Sequence, residues 1–534
     1  MPQESASQTG KIARAAGTVS LAVFASRILG LVREQVFAAL FGAGFAFDAY
    51  VVAFRIPNLM RDLFAEGALS SAFVTVFTDY DQRLGPAQTW RLANNVIFCF
   101  TLLLSLLVLV GMLFSPEITG IMAPEFGTVP GKLALTTLMT RIMFPFLVLV
   151  SLAALAMGIL NTKGKFFIPS LASSFFNLGA VVVGVSLSLV APRFGVEPIV
   201  GMAWGALVGG FLQLAVQLPL LWRVGFRLSW VLDFREPGLK RIVKLMLPAV
   251  VGLSATQINI FINTFYASSC VQGSISWLNY AYRLFHLPMG LFGVALMVAT
   301  LPVVSRHASN KDLGALRDAL QSSLSLAILV TLPAACGLIF LAQPIIALIY
   351  QHGQFTALDT HQTAAALALY ALGLAAFAGV KIMVPVFYAL DDTRVPVIGS
   401  FVTVAANLAL IQITLAPLQH RAIALSTSLS MVLNFLFLAA VLYHKVNGYQ
   451  VRSLLITLLK GTGAGVIMGL VVYWLHGYAS AWLGSGLMGQ ILSLGGVIVV
   501  GMVLYAAMVS RLQIPEFQEL LQHVRSRFCR KAVR

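Results

Sequence analysis

Charge is what this chain has least of. Asp and Glu number 19 and Lys and Arg 35 in 534 residues, so only 10% of positions are charged where a soluble domain carries about a quarter. With 59% hydrophobic residues and a mean hydropathy of +0.89, that scarcity excludes a soluble globular domain and a disordered chain. What remains is an all-α polytopic membrane protein. Cysteine is equally sparse: Cys99, Cys270, Cys336 and Cys529 stand far apart with no CxxC spacing, which excludes a disulfide framework or a zinc ribbon. Of the eight histidines only His286 lies well inside an apolar stretch, with no acid near it in sequence, so an acid–base relay lacks its second member. The polar opening MPQESASQTGKIAR has no apolar core followed by a cleavage site, and the first helix is expected to stay in the mature protein.

Long apolar runs are abundant. Fourteen stretches long enough to cross hydrocarbon fall at about 15–41, 47–77, 92–114, 133–160, 167–190, 199–222, 241–268, 274–304, 315–342, 362–389, 395–416, 421–443, 454–475 and 488–510. With the amino terminus inside, 25 of the 35 Lys and Arg fall on the cytoplasmic side, only Lys132, Arg193 and Arg421 outside, and seven within spans. This positive-inside bias places both termini in the cytoplasm. The excess of basic residues is thereby explained by topology, and nucleic acid is not an expected partner. The tail RSRFCRKAVR reads as a cytoplasmic anchor, and WVLDFREPGLKRIVK as a short amphipathic helix along the inner membrane surface.

The chain repeats itself. AFRIPNLMRDLFAEGAL around Arg55 matches AYRLFHLPMGLFGVALM around Arg283 at an offset of 228, and NTKGKFFIP and ALDDTRVP end at prolines 227 apart. Six spans separate the copies, an even number, so the expected arrangement is two six-helix lobes related by a pseudo-two-fold along the membrane normal, with a site near mid-membrane. The expected divisions are an amino-terminal lobe over 1–222, a linker over 223–240, a carboxy-terminal lobe over 241–443, two extra spans over 444–511 and a basic cytoplasmic tail over 512–534.

Seven basic residues lie within spans: Arg27, Arg33, Arg55, Arg61, Arg141, Arg283 and Lys381. The acids in or at the mouths of spans are Glu34, Asp48, Asp62 and Glu66, all in the first two. An arginine facing lipid costs about 2.5–3.5 kcal/mol on insertion scales, so these groups are expected to face protein or a water-filled cavity. Helical spacing puts Arg27 and Glu34 on one stripe, and Arg55, Asp62 and Glu66 on another, where opposite charges can neutralise. Arg33 and Arg61 point off those stripes. With Arg283 they suit an anion with several oxygens, since guanidinium forks match phosphate bidentately. Gly30, mid-way along a first span longer than the hydrocarbon needs, is the expected hinge.

In the wording SRILGLVRE, FGAGFAFDAYVVAFRIPNLMRDLFAEGALSSAF and SWLNYAYRLFHLPMGLFGVAL the chain resembles the MurJ/MviN family of bacterial lipid II flippases, within the multidrug/oligosaccharidyl-lipid/polysaccharide exporter superfamily. The resemblance spans essentially the whole chain. It implies alternating-access movement of an undecaprenyl-diphosphate-linked peptidoglycan precursor from the inner to the outer leaflet of the bacterial inner membrane. It places the family's cavity arginines on Arg27, Arg33, Arg61 and Arg283, with Ser26 beside them, its acidic portal residue on Asp48 and its FAEGA glutamate on Glu66. It also implies a groove for the polyprenyl tail on spans thirteen and fourteen, a monomer, membrane lipids as neighbours, and cell-wall synthesis and division proteins as candidate partners. Tyr282 and His286 depart from the family pattern. Asn259, Asn263 and Asn407 stand in the spans where some relatives place a sodium site, and no acid accompanies them, which argues against sodium coupling. No cofactor or metal is expected, while dependence on membrane potential is.

Two rival readings follow from other features. A cation-coupled multidrug exporter of the same superfamily would want cavity carboxylates, and arginines outnumber them here. An enzyme acting on a lipid diphosphate could draw magnesium to Asp391 and Asp392, but DDTRVP is a polar turn before a helix, where Asp caps the amino end.

Overall fold

The computed structural model describes residues 2–484, 486–514 and 516–518, with the side chains of 2–18, 20, 64–66 and 294 outside the described set. It is all-α, with no strand among the described residues. Chain contacts divide it into two compact units, Met1–Ile275 and Ser276–Arg534.

In the first unit α1 spans Pro2–Phe41 and α2 Phe45–Arg61; a π-helical turn over Asp62–Gly67 joins α2 to α3, Ala68–Arg83. Then follow α4 (Pro86–Leu113), α5 (Ser115–Met122), α6 (Lys132–Met143), α7 (Phe146–Thr162), α8 (Phe167–Val190), α9 (Ile199–Ala215), α10 (Leu218–Arg223) and α11 (Pro237–Ser268). Pro145 separates α6 from α7 within one apolar stretch, as a residue without an N–H does. The second unit holds α12 (Ser274–Pro288), a π-turn at Met289–Gly293, α13 (Val294–Ser309), α14 (Leu313–Phe340), α15 (Ala342–Tyr350), α16 (Ala357–Ala371), α17 (Leu374–Ala389), α18 (Arg394–Leu418), α19 (His420–Lys445), α20 (Val451–Leu483) and α21 (Leu487–Arg511).

Every one of the fourteen expected stretches is helical, but the count of fourteen spans is not reproduced by apolarity alone. Eleven helices among the described residues are long and apolar enough to cross a membrane, and the bent pair α16–α17, 43° apart, makes a twelfth. The two remaining stretches are α1 and α2–α3, which carry four of the six intramembrane arginines and all four of the acids. Both repeat signatures have structural counterparts. The π-turns at Asp62–Gly67 and Met289–Gly293 begin 227 residues apart, within one residue of the offset of the first match, and each follows a helix. The junctions α7–α8 and α17–α18 lie 227 residues apart at both helix ends.

The linker differs from expectation. Residues 226–233 form no helix, and helix resumes only at Pro237, within α11. Asn94 and Asn95 of α4 explain why. Asn94 donates to the Arg227 carbonyl and accepts the Ser229 N–H, while Asn95 donates to the Asp233 carbonyl and accepts its N–H, all at 2.7–3.0 Å. Two buried amides satisfy the linker's backbone as a neighbouring strand would, so it need not coil. Glu236 then caps α11 through the Leu239 N–H, and Tyr80 donates to its other oxygen. Burial, followed by that bond to Glu236, pushes the Tyr80 hydroxyl up to about 12.

Phe73, Phe77, Phe100, Ile159 and Ile242 centre the first unit's core, bringing α3, α4, α7 and α11 together. In the second unit one core joins α13, α14, α17 and α19, and another seats α20 and α21 on α14 through Cys336, Met468, Val497 and Tyr505. In hydrocarbon, association rests on close packing, and small residues allow it. The α8–α9 pair shows this: a Cβ on Gly205 would stand 2.6 Å from the Gly184 Cα and 2.7 Å from the Ala180 carbonyl oxygen. Gly205→Ala is therefore expected to lower the melting temperature of the purified protein at a cost of about 1–3 kcal/mol, by forcing backbones apart. Gly463→Ala in α20, with nothing within 4 Å of the added Cβ, should leave it unchanged or raise it. Equal responses would contradict this packing.

Candidate functional site

Sequence places the charged groups of the first unit on α1, on α2 and at its π-turn. α1 packs on α8. On that side Ser26 donates to the Ser173 hydroxyl at 2.9 Å, and Asn177 donates to the Ser26 carbonyl at 3.2 Å. Gly30 lies in unbroken helix opposite Asn177. Ser26 and Gly30 are thus contact positions for α8 in this conformation.

Seven residues on from Ser26, Arg33 is buried, its guanidinium carbon 5.4 Å from the centre of the Phe176 ring. Its Nη2 donates to Glu34 Oε1 at 2.8 Å. The expected stripe pair of Arg27 with Glu34 is therefore replaced by a pair of sequence neighbours, with Arg27 on an exposed face. Neighbouring positions point about 100° apart on a helix, but the long arginine stem bends back across that angle, and burial rewards it for doing so. The Arg33 Nε–H is buried with no hydrogen-bond acceptor among the described residues.

The same substitution of neighbour for stripe occurs on α2. Arg61 donates through Nε and Nη2 to Asp62 Oδ1, at 3.2 and 2.8 Å, instead of leaving Asp62 to Arg55. Arg55 reaches α11, where its Nη1 donates to Thr264 Oγ1 at 2.6 Å. The Arg61–Asp62 pair is partly open, with 22% and 29% of its side chains exposed, whereas Arg33–Glu34 is closed at 8% and 3%. Asp62 opens the π-turn. Gly67 closes it against α11, where an added Cβ would meet Leu253 at 2.4 Å.

A third pair was not anticipated. Asp48, in the first turn of α2, accepts from Lys132 Nζ at 2.9 Å and from the Gly273 N–H at 2.9 Å, with 3% of each side chain in the ion pair exposed. Lys132 also stands 4.2 Å over the Phe126 ring. The signal in the sequence was its placement, one of three basic residues on the external side against the positive-inside trend. One charge on each helix, a backbone donor and an aromatic face together offset the desolvation of both ions.

Glu66 lies among the side chains outside the described set. Arg283 sits on an exposed face of α12, beside Tyr282, whose ring meets His286 at 4.3 Å. Lys381 and Arg141 are exposed, and Arg141 donates to the Met112 carbonyl. Asp392 accepts the N–H groups of Arg394 and Val395 at the start of α18, the expected cap. Lys445 holds its other oxygen, and this hydrogen bond keeps the carboxyl below its ordinary range.

A family model described as lipid II flippase MurJ matches residues 37–494. A probable lipid II flippase MurJ of Vibrio cholerae serotype O1 is 33% identical over 498 residues, 92% of this chain and 94% of its own. The lipid II flippase MurJ of Burkholderia cenocepacia is 37% identical over 433 residues, 80% of this chain and 82% of its own. A solved lipid II flippase MurJ in an inward closed conformation superposes with a TM-score of 0.77 at 27% identity, covering 94% of this chain and 99% of that one. An inward-facing multidrug resistance MATE family transporter shares the fold alone, with a TM-score of 0.64 at 14% identity over 79% of this chain and 94% of its own.

Breaking one side of the buried pair should cost more than removing both. Lys132→Met strands a buried carboxylate, and the expected destabilisation in thermal unfolding is about 3–5 kcal/mol, most of it recovered in Asp48→Asn/Lys132→Met. Additive losses in the double variant would show that the two groups do not serve each other.

Proposed function

The chain belongs to the lipid II flippase MurJ family, and on that premise we propose that it carries lipid II from the inner to the outer leaflet of the bacterial cytoplasmic membrane by alternating access. It is a multi-span transporter rather than an enzyme. The observation that best supports a diphosphate as the bound group is the state of Arg33: buried, held by one carboxylate oxygen, with an N–H donor still unclaimed among the described residues.

A guanidinium offers five N–H donors. Arg33 and Arg61 use one or two of theirs on an adjacent carboxylate, so each is neutralised while no substrate is bound. A diphosphate presents more oxygens and more charge than one carboxylate, and it can displace Glu34 or Asp62 without leaving a bare cation in low dielectric. Partner exchange of this kind keeps each guanidinium paired throughout, which limits the barrier. Arg27 and Arg283, both on exposed faces, add cations to the set, with Ser26 as a hydroxyl donor. Asp48 and Glu66 are assigned to gating, with Asp48 released when its bond to Lys132 opens.

In this reading the chain works as a monomer with both termini in the cytoplasm and without a cofactor, and the polyprenyl tail of the substrate lies in a groove on α20 and α21. Membrane potential, negative inside, favours outward movement of the anion by about 2.3 kcal/mol per charge per 100 mV if the whole field is crossed. The multidrug alternative is disfavoured by the same contacts, because Glu34, Asp48 and Asp62 each hold an arginine or lysine and a cationic drug would have to displace it.

Arg33→Ala and Arg61→Ala should each reduce lipid II translocation in proteoliposomes at least about tenfold per folded molecule, the loss of one charge-assisted bidentate contact, and Arg33→Ala/Glu34→Gln, which strands no buried carboxylate, should show the same loss. Arg33→Lys should retain part of the activity. Unimpaired transport by both alanine variants would sink the assignment.

A further inference from the structure

A second polar site lies where α19 ends, α20 begins and the chain leaves α21. A cavity of about 650 Å³ opens there, lined by Arg452, Lys460, Ser453, Thr457, Tyr443 and Tyr449 among others, and no acidic side chain is in its lining among the described residues. Glu516, two residues past the wall at Ile514, stands outside it. Lys460 spends one of its three N–H donors on the Leu512 carbonyl at 2.9 Å, and Tyr449 donates to the Ala439 carbonyl. Arg452 is exposed, and the amino end of α20, which opens here, adds the partial positive charge of its dipole. Two cations, hydroxyls and a helix start without a carboxylate describe a receptor for an anion with several oxygens.

What lies beside the cavity identifies the source of that anion. Leu455, Ile456 and Leu459 leave its rim along α20, 51%, 41% and 71% exposed, on a helix apolar enough to cross a membrane. A ligand filling both has phosphate at one end and hydrocarbon at the other. The volume suits a headgroup, since ligand pockets run about 300–1,000 Å³, and basic pockets between spans at the cytoplasmic surface hold anionic headgroups. Five basic residues, Arg525, Arg527, Arg530, Lys531 and Arg534, follow in the sequence within twenty residues of the wall and favour an anionic lipid surface nearby.

We propose that the cavity at the start of α20 binds the phosphate headgroup of an anionic glycerophospholipid, with Arg452 and Lys460 on the phosphate and the acyl chains along Leu455 and Leu459. The site is built from residues of the second unit alone and does not rest on lipid II transport, so either reading can fail alone.

Native mass spectrometry of the full chain, released from nanodiscs of phosphatidylglycerol or of phosphatidylethanolamine, tests it. The wild type should retain phosphatidylglycerol selectively, and Arg452→Gln should lose most of that retention, at least about fivefold, while Arg452→Lys keeps part of it. Lys460→Gln, which keeps an N–H donor and removes the charge, should show a similar loss with an unchanged melting temperature. Equal retention of both lipids by the wild type, or retention unaffected in Arg452→Gln and Lys460→Gln, would overturn the proposal. Displacement of phosphatidylglycerol by millimolar inorganic phosphate, with equal thermal protection by phosphate alone, would show a free-phosphate site and overturn the lipid assignment.

Discussion

A charge cannot stand bare in hydrocarbon, and the amino-terminal unit is organised around that constraint. Arg33 is held by Glu34, Arg61 by Asp62, and Asp48 by Lys132, while Arg55 finds the Thr264 hydroxyl on α11. The helix contacts follow these pairings. Lys132 ties α6 to the start of α2, Arg55 ties α2 to α11, and the Phe176 ring under Arg33 belongs to the α8 face against which α1 packs. Apolar packing supplies most of the contact area, but the ion pairs fix which residues meet, because the cost of a mismatch is paid in desolvated charge.

The three pairs differ in how readily they can exchange. Asp48–Lys132 is almost wholly enclosed and has a backbone N–H and an aromatic ring as further partners; such a pair stays locked until a gating movement opens it. Arg61–Asp62 is partly exposed, and Arg33, though enclosed, keeps a donor in reserve among the described residues; such pairs can trade one anion for another. Locked and tradable pairs on the same helix give α2 a fixed end and a responsive end. The π-turn beginning at Asp62 lies at the responsive end, where a single extra residue per turn leaves the backbone less tightly bonded than in α-helix.

Much of the fold was legible because apolar length is a strong signal in a membrane chain, and every expected stretch is helical. The repeat was legible too, and it has local counterparts in both π-turns and both polar helix junctions. The ion pairs were not. Stripe spacing treats side chains as points on a helical net and misses that an arginine is long enough to reach its own neighbour, which is why it pairs Glu34 with Arg27. Lys132 was visible only as an exception to charge sorting, since its partner lies 84 residues away. The linker was misread because alternating apolar and charged residues suit a surface helix, whereas the decisive partners, Asn94 and Asn95, lie on another element.

If Glu34 is the resting stand-in for a phosphate, it competes with substrate for Arg33. Equilibrium binding of lipid II to purified wild type and Glu34→Gln isolates that competition. Binding several-fold tighter in Glu34→Gln is expected, because the substrate then relieves a buried cation left short of a partner. Unchanged or weaker binding in a folded Glu34→Gln protein would contradict partner exchange and leave Arg33–Glu34 a bridge within one helix.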